Sequence, residues 1–206
     1  MGLRESKIGD MYLSFMDKTV LGWLKKKNLG PNTVTLAGLA IACFVPLGFA
    51  LSPWAGFALI GVSGVADSLD GSLARATQQQ SVFGSFWDST LDRAADCAYL
   101  LGFLVLFWPF AGWWRLMAVI ILFLALLGTL LISYTKAKIE SLGQNCHSGI
   151  MSRPARIVFL LVWALLLALI PGAHLEMLWL GLGLYVALTA FTVGQRIVEA
   201  RRVLAG

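Results

Sequence analysis

Asp67-Ser-Leu-Asp70-Gly71-Ser-Leu-Ala74-Arg75, followed after eight residues by Gly84-Ser-Phe-Trp-Asp88-Ser-Thr-Leu-Asp92 and then by Asp96, sets five aspartates inside an otherwise apolar chain. The flanks, Gly61 to Ala66 and Ala98 to Phe107, are apolar enough for membrane depth, where a carboxylate is costly and normally functional. Asp67 and Asp70 are spaced i,i+3, and Asp88, Asp92 and Asp96 step by four, so each set lies on one helix face. With the polar stretch Thr77 to Ser81 as the turn of a hairpin, Asp70 pairs in depth with Asp88 and Asp67 with Asp92. All four then lie on the order of 10 Å below the turn at the helical rise of ~1.5 Å per residue. Four carboxylates converging at one level would form a cage for divalent cations.

The rest of the chain agrees with a membrane setting. It is 58% hydrophobic and 13% charged, with mean hydropathy +0.78, which excludes an ordinary soluble domain. A bilayer is spanned by about 20 apolar residues, and the sequence predicts an all-α integral membrane protein with six such helices, at 33–52, 54–76, 83–108, 112–135, 155–171 and 174–196. Lys and Arg cluster before the first span, at Arg75, between the fourth and fifth spans, and after the sixth, with only Arg115 on the other side. The positive-inside rule therefore places both termini and the acidic cage on the cytoplasmic side of the cell (inner) membrane. The net charge of +5 is accounted for by this bias and by anionic membrane lipids, and no nucleic-acid partner is implied.

Residues 1–30 show no secretory signal pattern. Met11, Leu13, Phe15, Met16, Val20, Leu21 and Leu24 recur at near-helical spacing among charges, which predicts an amphipathic helix lying in the interface. Residues 1–30 and the six-helix bundle 31–206 are read as one domain. Cys43, Cys97 and Cys146 have no spacing suited to a disulfide framework or a metal knuckle.

Physical chemistry gives the motif a use. Hard oxygen ligands on rigid helices suit Mg2+ or Mn2+, ions that could neutralise the charge of a bound phosphate ester. Gly71 and Gly84 would let a ligand approach the helix backbones, and Arg75 is placed to hold a phosphate oxygen. The stretch resembles the signature of the CDP-alcohol phosphotransferases, D-x2-D-G-x2-A-R-x8-G-x3-D-x3-D, at eight specified residues across 26 positions. Pro31-Asn32-Thr33-Val34-Thr35 resembles the P-N-x-x-T element that opens the first span of those enzymes.

The resemblance implies a site for a CDP-lipid, CDP-diacylglycerol or CDP-archaeol, drawn from Asn32, Thr35, Asp67, Asp70, Gly71, Ala74, Arg75, Gly84 and Asp88. It implies two metal ions held by Asp67, Asp70 and Asp88 with Asp92 near them, and it makes Asp92 the candidate general base toward the acceptor hydroxyl. It also implies a homodimer, for which Phe103, Leu106, Phe123 and Leu127 offer lipid-facing surface.

A second set of residues bears on the acceptor. Ser133-Tyr-Thr-Lys136-Ala-Lys138-Ile-Glu140 and Arg153-Pro-Ala-Arg156 are similar to elements of the phosphatidylinositol-phosphate synthase branch of that family. By that resemblance Lys136, Arg153 and Arg196 hold the phosphate of a phosphorylated polyol, inositol 1-phosphate or alternatively glycerol 3-phosphate. The positive-inside rule alone would also place cations at these loops. Asp96 is open between an acceptor contact and an interhelical partner. His147 reads as a solvated loop histidine, and Trp108, Trp113, Trp114 and Trp179 read as an interfacial aromatic belt. A divalent-cation transporter, the reading from another class, would need ionisable groups toward the far face. Ala55 to Ala66 and Ala98 to Phe107 supply none except Tyr99.

Overall fold

The computed structural model describes residues 27, 30–78, 80–170 and 174–204. The predicted interfacial helix lies outside these, apart from residues 27 and 30. Among the described residues there is no strand, and the helices are α1 (Pro31–Cys43), α2 (Val45–Leu51), α3 (Pro53–Ala76), α4 (Val82–Leu106), α5 (Trp113–Ser141), α6 (Arg153–Leu169) and α7 (His174–Leu204).

The first predicted span is broken at Phe44, because Pro46 has no N–H to continue the helix ladder. The sharper break at Ser52 is a cap, with the Ala55 N–H donating to Ser52 Oγ at 3.1 Å. Among the described residues, four helical stretches are long and apolar enough to cross a membrane: α1 continued by α2 (Pro31–Leu51), Pro53–Ala76, Trp113–Ser141 and Leu175–Leu204. The other two expected spans differ for identifiable reasons. α4 has 25 residues but carries Asp88, Asp92, Arg93 and Asp96 among its first fifteen, and α6 has 17 residues with two arginines. α5 and α7 run past their predicted ends, to Ser141 and Leu204, since their charged termini remain good helix formers.

The described residues fall into two compact units, those up to residue 41 together with 62–92, and those of 42–61 together with 93–204. In the first, α1 packs on the second half of α3 through Gly38. The Ser63 hydroxyl donates to the Gly38 carbonyl at 2.8 Å, and a Cβ at Gly38 would sit 3.2 Å from that of Ala66. The turn into α4 is closed by Ser81, whose Oγ accepts the Gly84 N–H at 2.9 Å, an N-cap bond to the third helical residue.

The second unit has an aromatic core. Phe103 stacks on Trp163 with centroids 4.0 Å apart and meets Phe49 at 4.8 Å, while Trp163 Nε1 donates to the Met177 carbonyl at 2.9 Å. Phe103 is 0% exposed, so it belongs to the core and is not available for the lipid-facing contact expected of it. Phe123 and Leu127 are exposed. α5 and α7 approach closely where Gly128 faces Thr189 and Thr129 hydrogen-bonds Tyr185 at 2.9 Å. Of the belt residues, Trp108, Trp113 and Trp114 are exposed. Arg115, the exception to the charge pattern, sits 5.0 Å over the Trp108 ring, within cation–π range.

Candidate metal and phosphate site

Asp67, Asp70 and Asp88 each offer a carboxylate oxygen, and these atoms lie within 4.8 Å of one another. Asp67 and Asp70 share one face of α3, and the turn at residues 77–81 returns the chain so that Asp88 on α4 meets them. Three anions this close repel unless a cation lies among them. The donor set fits one: all ligands are hard oxygens, as Mg2+ and Mn2+ require. Asp70 is 5% exposed and its Oδ2 is buried with no hydrogen-bond partner, a costly state that coordination would relieve.

Asp92 is buried and stands outside this triad. It lies one turn, about 6 Å of helical rise, beyond Asp88 on the same face of α4. Of the four carboxylates expected to converge, Asp67, Asp70 and Asp88 meet within 4.8 Å.

Beside the triad is a cavity of about 350 Å³ lined by Pro31, Asn32, Thr35, Asp70, Gly71, Ala74, Arg75, Gln80, Ser81, Gly84, Ser85 and Asp88. Every residue expected to contact the CDP-lipid lines it except Asp67, which reaches it through the triad. A Cβ at Gly71 would lie 3.5 Å from Arg75 Nη1, and one at Gly84 would lie 3.0 Å from Ser81 Oγ, so the two glycines keep the wall open. Arg75 is exposed and its Nη2 donates to Ser72 Oγ at 3.1 Å, which braces the guanidinium. Gln80, Ser81 and Ser85 were not anticipated from the sequence. The S-x-x-G cap of α4 was the available signal for Ser81.

The expected acceptor cations lie in the other unit. Arg196 on α7 is buried, donates from Nε to the Ser148 carbonyl at 3.2 Å and from Nη1 to the Ile132 carbonyl, one turn before Lys136 on α5. Lys136 is half exposed and pairs with Glu140 at 3.7 Å. Arg153 is the first residue of α6. It follows a loop anchored at Met151, whose N–H donates to Thr192 Oγ1 at 3.1 Å and whose carbonyl accepts from Arg156 Nη1 at 3.2 Å. Asp96 is Arg156's ion-pair partner at 2.7 Å, which is the interhelical alternative for that residue. His147 is exposed in the loop. Arg156 and Glu199 were given no role from the sequence; Arg156 was signalled by the Arg153-Pro-Ala-Arg156 element and Glu199 only by helical spacing, three residues beyond Arg196.

The profile of the CDP-alcohol phosphatidyltransferase family matches residues 28–192. The archaetidylinositol phosphate synthase of Methanothermobacter thermautotrophicus is 36% identical over 171 residues, 82% of each chain. The phosphatidylinositol phosphate synthase of Mycobacterium tuberculosis, solved in complex with manganese and citrate, superposes with a TM-score of 0.74 at 27% identity, covering 88% of this chain and 87% of that one. The same enzyme with CDP-DAG bound gives 0.73 at 26%, covering 88% and 92%.

Proposed function

The chain belongs to the CDP-alcohol phosphatidyltransferase family, and from that premise we propose that it transfers a phosphatidyl or archaetidyl group from a CDP-linked lipid to the hydroxyl of inositol 1-phosphate, releasing CMP. The observation that carries this reading is the Asp67–Asp70–Asp88 triad beside a cavity lined by Asn32, Thr35, Gly71, Ala74, Arg75 and Gly84. The relatives named as inositol phosphate synthases support the acceptor class.

In this reading Asp67, Asp70 and Asp88 hold divalent cations, two Mg2+ or Mn2+ ions, with Asp92 near them. Bound there, the ions would neutralise the pyrophosphate and polarise a phosphoryl oxygen. The nucleotide lies against Gly71 and Gly84, and Arg75 holds a phosphate oxygen through its planar fork. Asp92 takes the proton of the acceptor hydroxyl. That oxygen forms a bond to the lipid-linked phosphorus as the bond to CMP breaks, and CMP leaves with the electron pair.

Lys136, Arg153 and Arg196 bind the acceptor's own phosphate, since three cations suit an anionic acceptor better than a neutral one. The protein is a six-span membrane enzyme with an interfacial N-terminal helix, one domain over 1–206, with termini and site facing the cytoplasm, and it functions as a homodimer. Family membership sets aside the cation-transporter reading.

The test is CMP release from CDP-diacylglycerol and from CDP-archaeol with inositol 1-phosphate, inositol, glycerol 3-phosphate or serine. Release should be fastest with inositol 1-phosphate. Preference for glycerol 3-phosphate would make the product a phosphatidylglycerol phosphate, and preference for inositol or serine would overturn the anionic-acceptor reading.

A further inference from the structure

Glu199 does something that neither the motif nor the family reading uses. It lies on α7 one turn beyond Arg196, and its carboxylate collects four donors from the loop that leads to Arg153. Oε1 accepts the His147 N–H at 3.0 Å. Oε2 accepts the Ser148 N–H at 3.0 Å, the Ser148 hydroxyl at 2.6 Å and the Cys146 thiol at 3.3 Å. Two successive backbone amides with a hydroxyl and a thiol form a small anion nest, and the anion filling it is the chain's own.

The next links run straight to Arg196. With both its amide and its hydroxyl held, Ser148 directs its carbonyl at Arg196 Nε. Gly149 turns with φ +114°, and a Cβ there would meet Thr192 Cγ2 at 2.7 Å and Arg196 Nε at 3.1 Å, so the loop is pressed onto α7 where only glycine fits. Further along, Gln195 Oε1 accepts the Ile150 N–H at 3.4 Å and Thr192 Oγ1 accepts that of Met151. Thr192, Gln195, Arg196 and Glu199 thus form one stripe of α7 at helical spacing, and Glu199 makes more of the loop contacts than any other member.

We infer that Glu199 is a positioning residue: by fixing the Cys146–Ser148 segment it fixes the Ser148 carbonyl, and through that carbonyl it holds the Arg196 guanidinium in the orientation that receives the acceptor's phosphate. The inference rests on the acceptor reading above for the role of Arg196. The latch itself rests on geometry alone.

Cys146 reports on the latch without any assay of turnover. It is buried, and burial first, then the hydrogen bond to Glu199, hold its thiol above the ordinary cysteine range, so it should react slowly with a water-soluble maleimide.

The experiment uses the full chain in nanodiscs, in a Cys43→Ala, Cys97→Ala background for labelling. Glu199→Ala should speed Cys146 labelling and raise the inositol 1-phosphate KM about tenfold, the scale of one charge-assisted contact, with the CDP-diacylglycerol KM little changed. Glu199→Gln, which keeps one acceptor oxygen, should fall between wild type and Glu199→Ala in both readouts and guards against misfolding of the alanine variant. Because Glu199 acts through Arg196, Glu199→Ala combined with Arg196→Gln should cost no more acceptor affinity than Arg196→Gln alone.

Additive losses in the double variant, or equal rises in both KM values, would overturn the inference. If Arg196→Gln raises the acceptor KM and Glu199→Ala does not, the inference alone fails. If Arg196→Gln leaves the acceptor KM unchanged, the acceptor reading fails and the positioning role falls with it.

Discussion

Arg156 Nη2 lies 2.7 Å from Asp96 Oδ2, and both side chains are 2% exposed. The pair joins α4 to α6, and the second arm of the same guanidinium reaches the Met151 carbonyl at 3.2 Å. Two helices and a loop are therefore tied at one charged knot inside an apolar bundle. Such a knot contributes little net energy when intact, because both ions lose their hydration, but removing one partner strands the other.

Arg156→Leu alone should destabilise the fold by about 3–5 kcal/mol, and Asp96→Leu with Arg156→Leu should recover most of that loss. Thermal unfolding in detergent compares them. A single variant as stable as the double would show that the pair carries no such penalty.

Asp67→Asn, Asp70→Asn and Asp88→Asn should each abolish nearly all turnover and weaken Mn2+ binding measured by electron paramagnetic resonance, with the fold retained. A neutral amide at any of the three leaves the nucleotide pyrophosphate under-neutralised. Near-normal activity in any one of them would falsify the triad as the metal site.

Asp92→Asn separates proton transfer from ligation. With Asp92 as the proposed general base, the substitution should depress turnover far more than CDP-lipid affinity, because a base's interaction is used chiefly in the transition state. Equal losses of rate and affinity would make it chiefly a metal ligand.

Lys136→Gln, Arg153→Gln and Arg196→Gln should each raise the acceptor KM by roughly one to two orders of magnitude, the equivalent of ~1.5–3 kcal/mol for a lost charge-assisted contact, and leave CDP-lipid binding intact. Arg75→Gln should weaken the nucleotide side instead. Arg196→Gln should also lower the melting temperature, because Arg196 is buried and holds two backbone carbonyls. Lys136 is half exposed and should show no such cost.

Phe123 and Leu127 on α5 remain candidates for a contact between copies. Replacing both with Ala should shift the mass of the particle in nanodiscs from dimer toward monomer. A wild-type particle that is already monomeric removes the homodimer.

The aspartate triad was legible because its information is local. Spacings of three and four fix which side chains share a helix face, and one polar turn fixes which levels meet. The cavity was legible through the family resemblance, whose motifs contain Asn32, Gly71, Arg75 and Gly84. Phe103 was misread because a membrane protein removes the usual cue. Lipid tails are as apolar as a protein core, so a hydrophobic residue gives no sign of which one it faces, and only packing against Trp163 and Phe49 assigned it inward.

By itself, the sequence determined the helical membrane character and the acidic hairpin, which follow from composition and from short, periodic spacings, while the phosphate-handling chemistry was implied by the motif's resemblance to a known family. Tertiary structure alone decided that Asp96 belongs to Arg156, that Phe103 packs inward, and that Glu199 closes over a loop about 50 residues away in the chain. Those pairings depend on how long helices cross and where a loop is pressed, and a polar side chain in an apolar bundle takes whichever partner that crossing brings within reach.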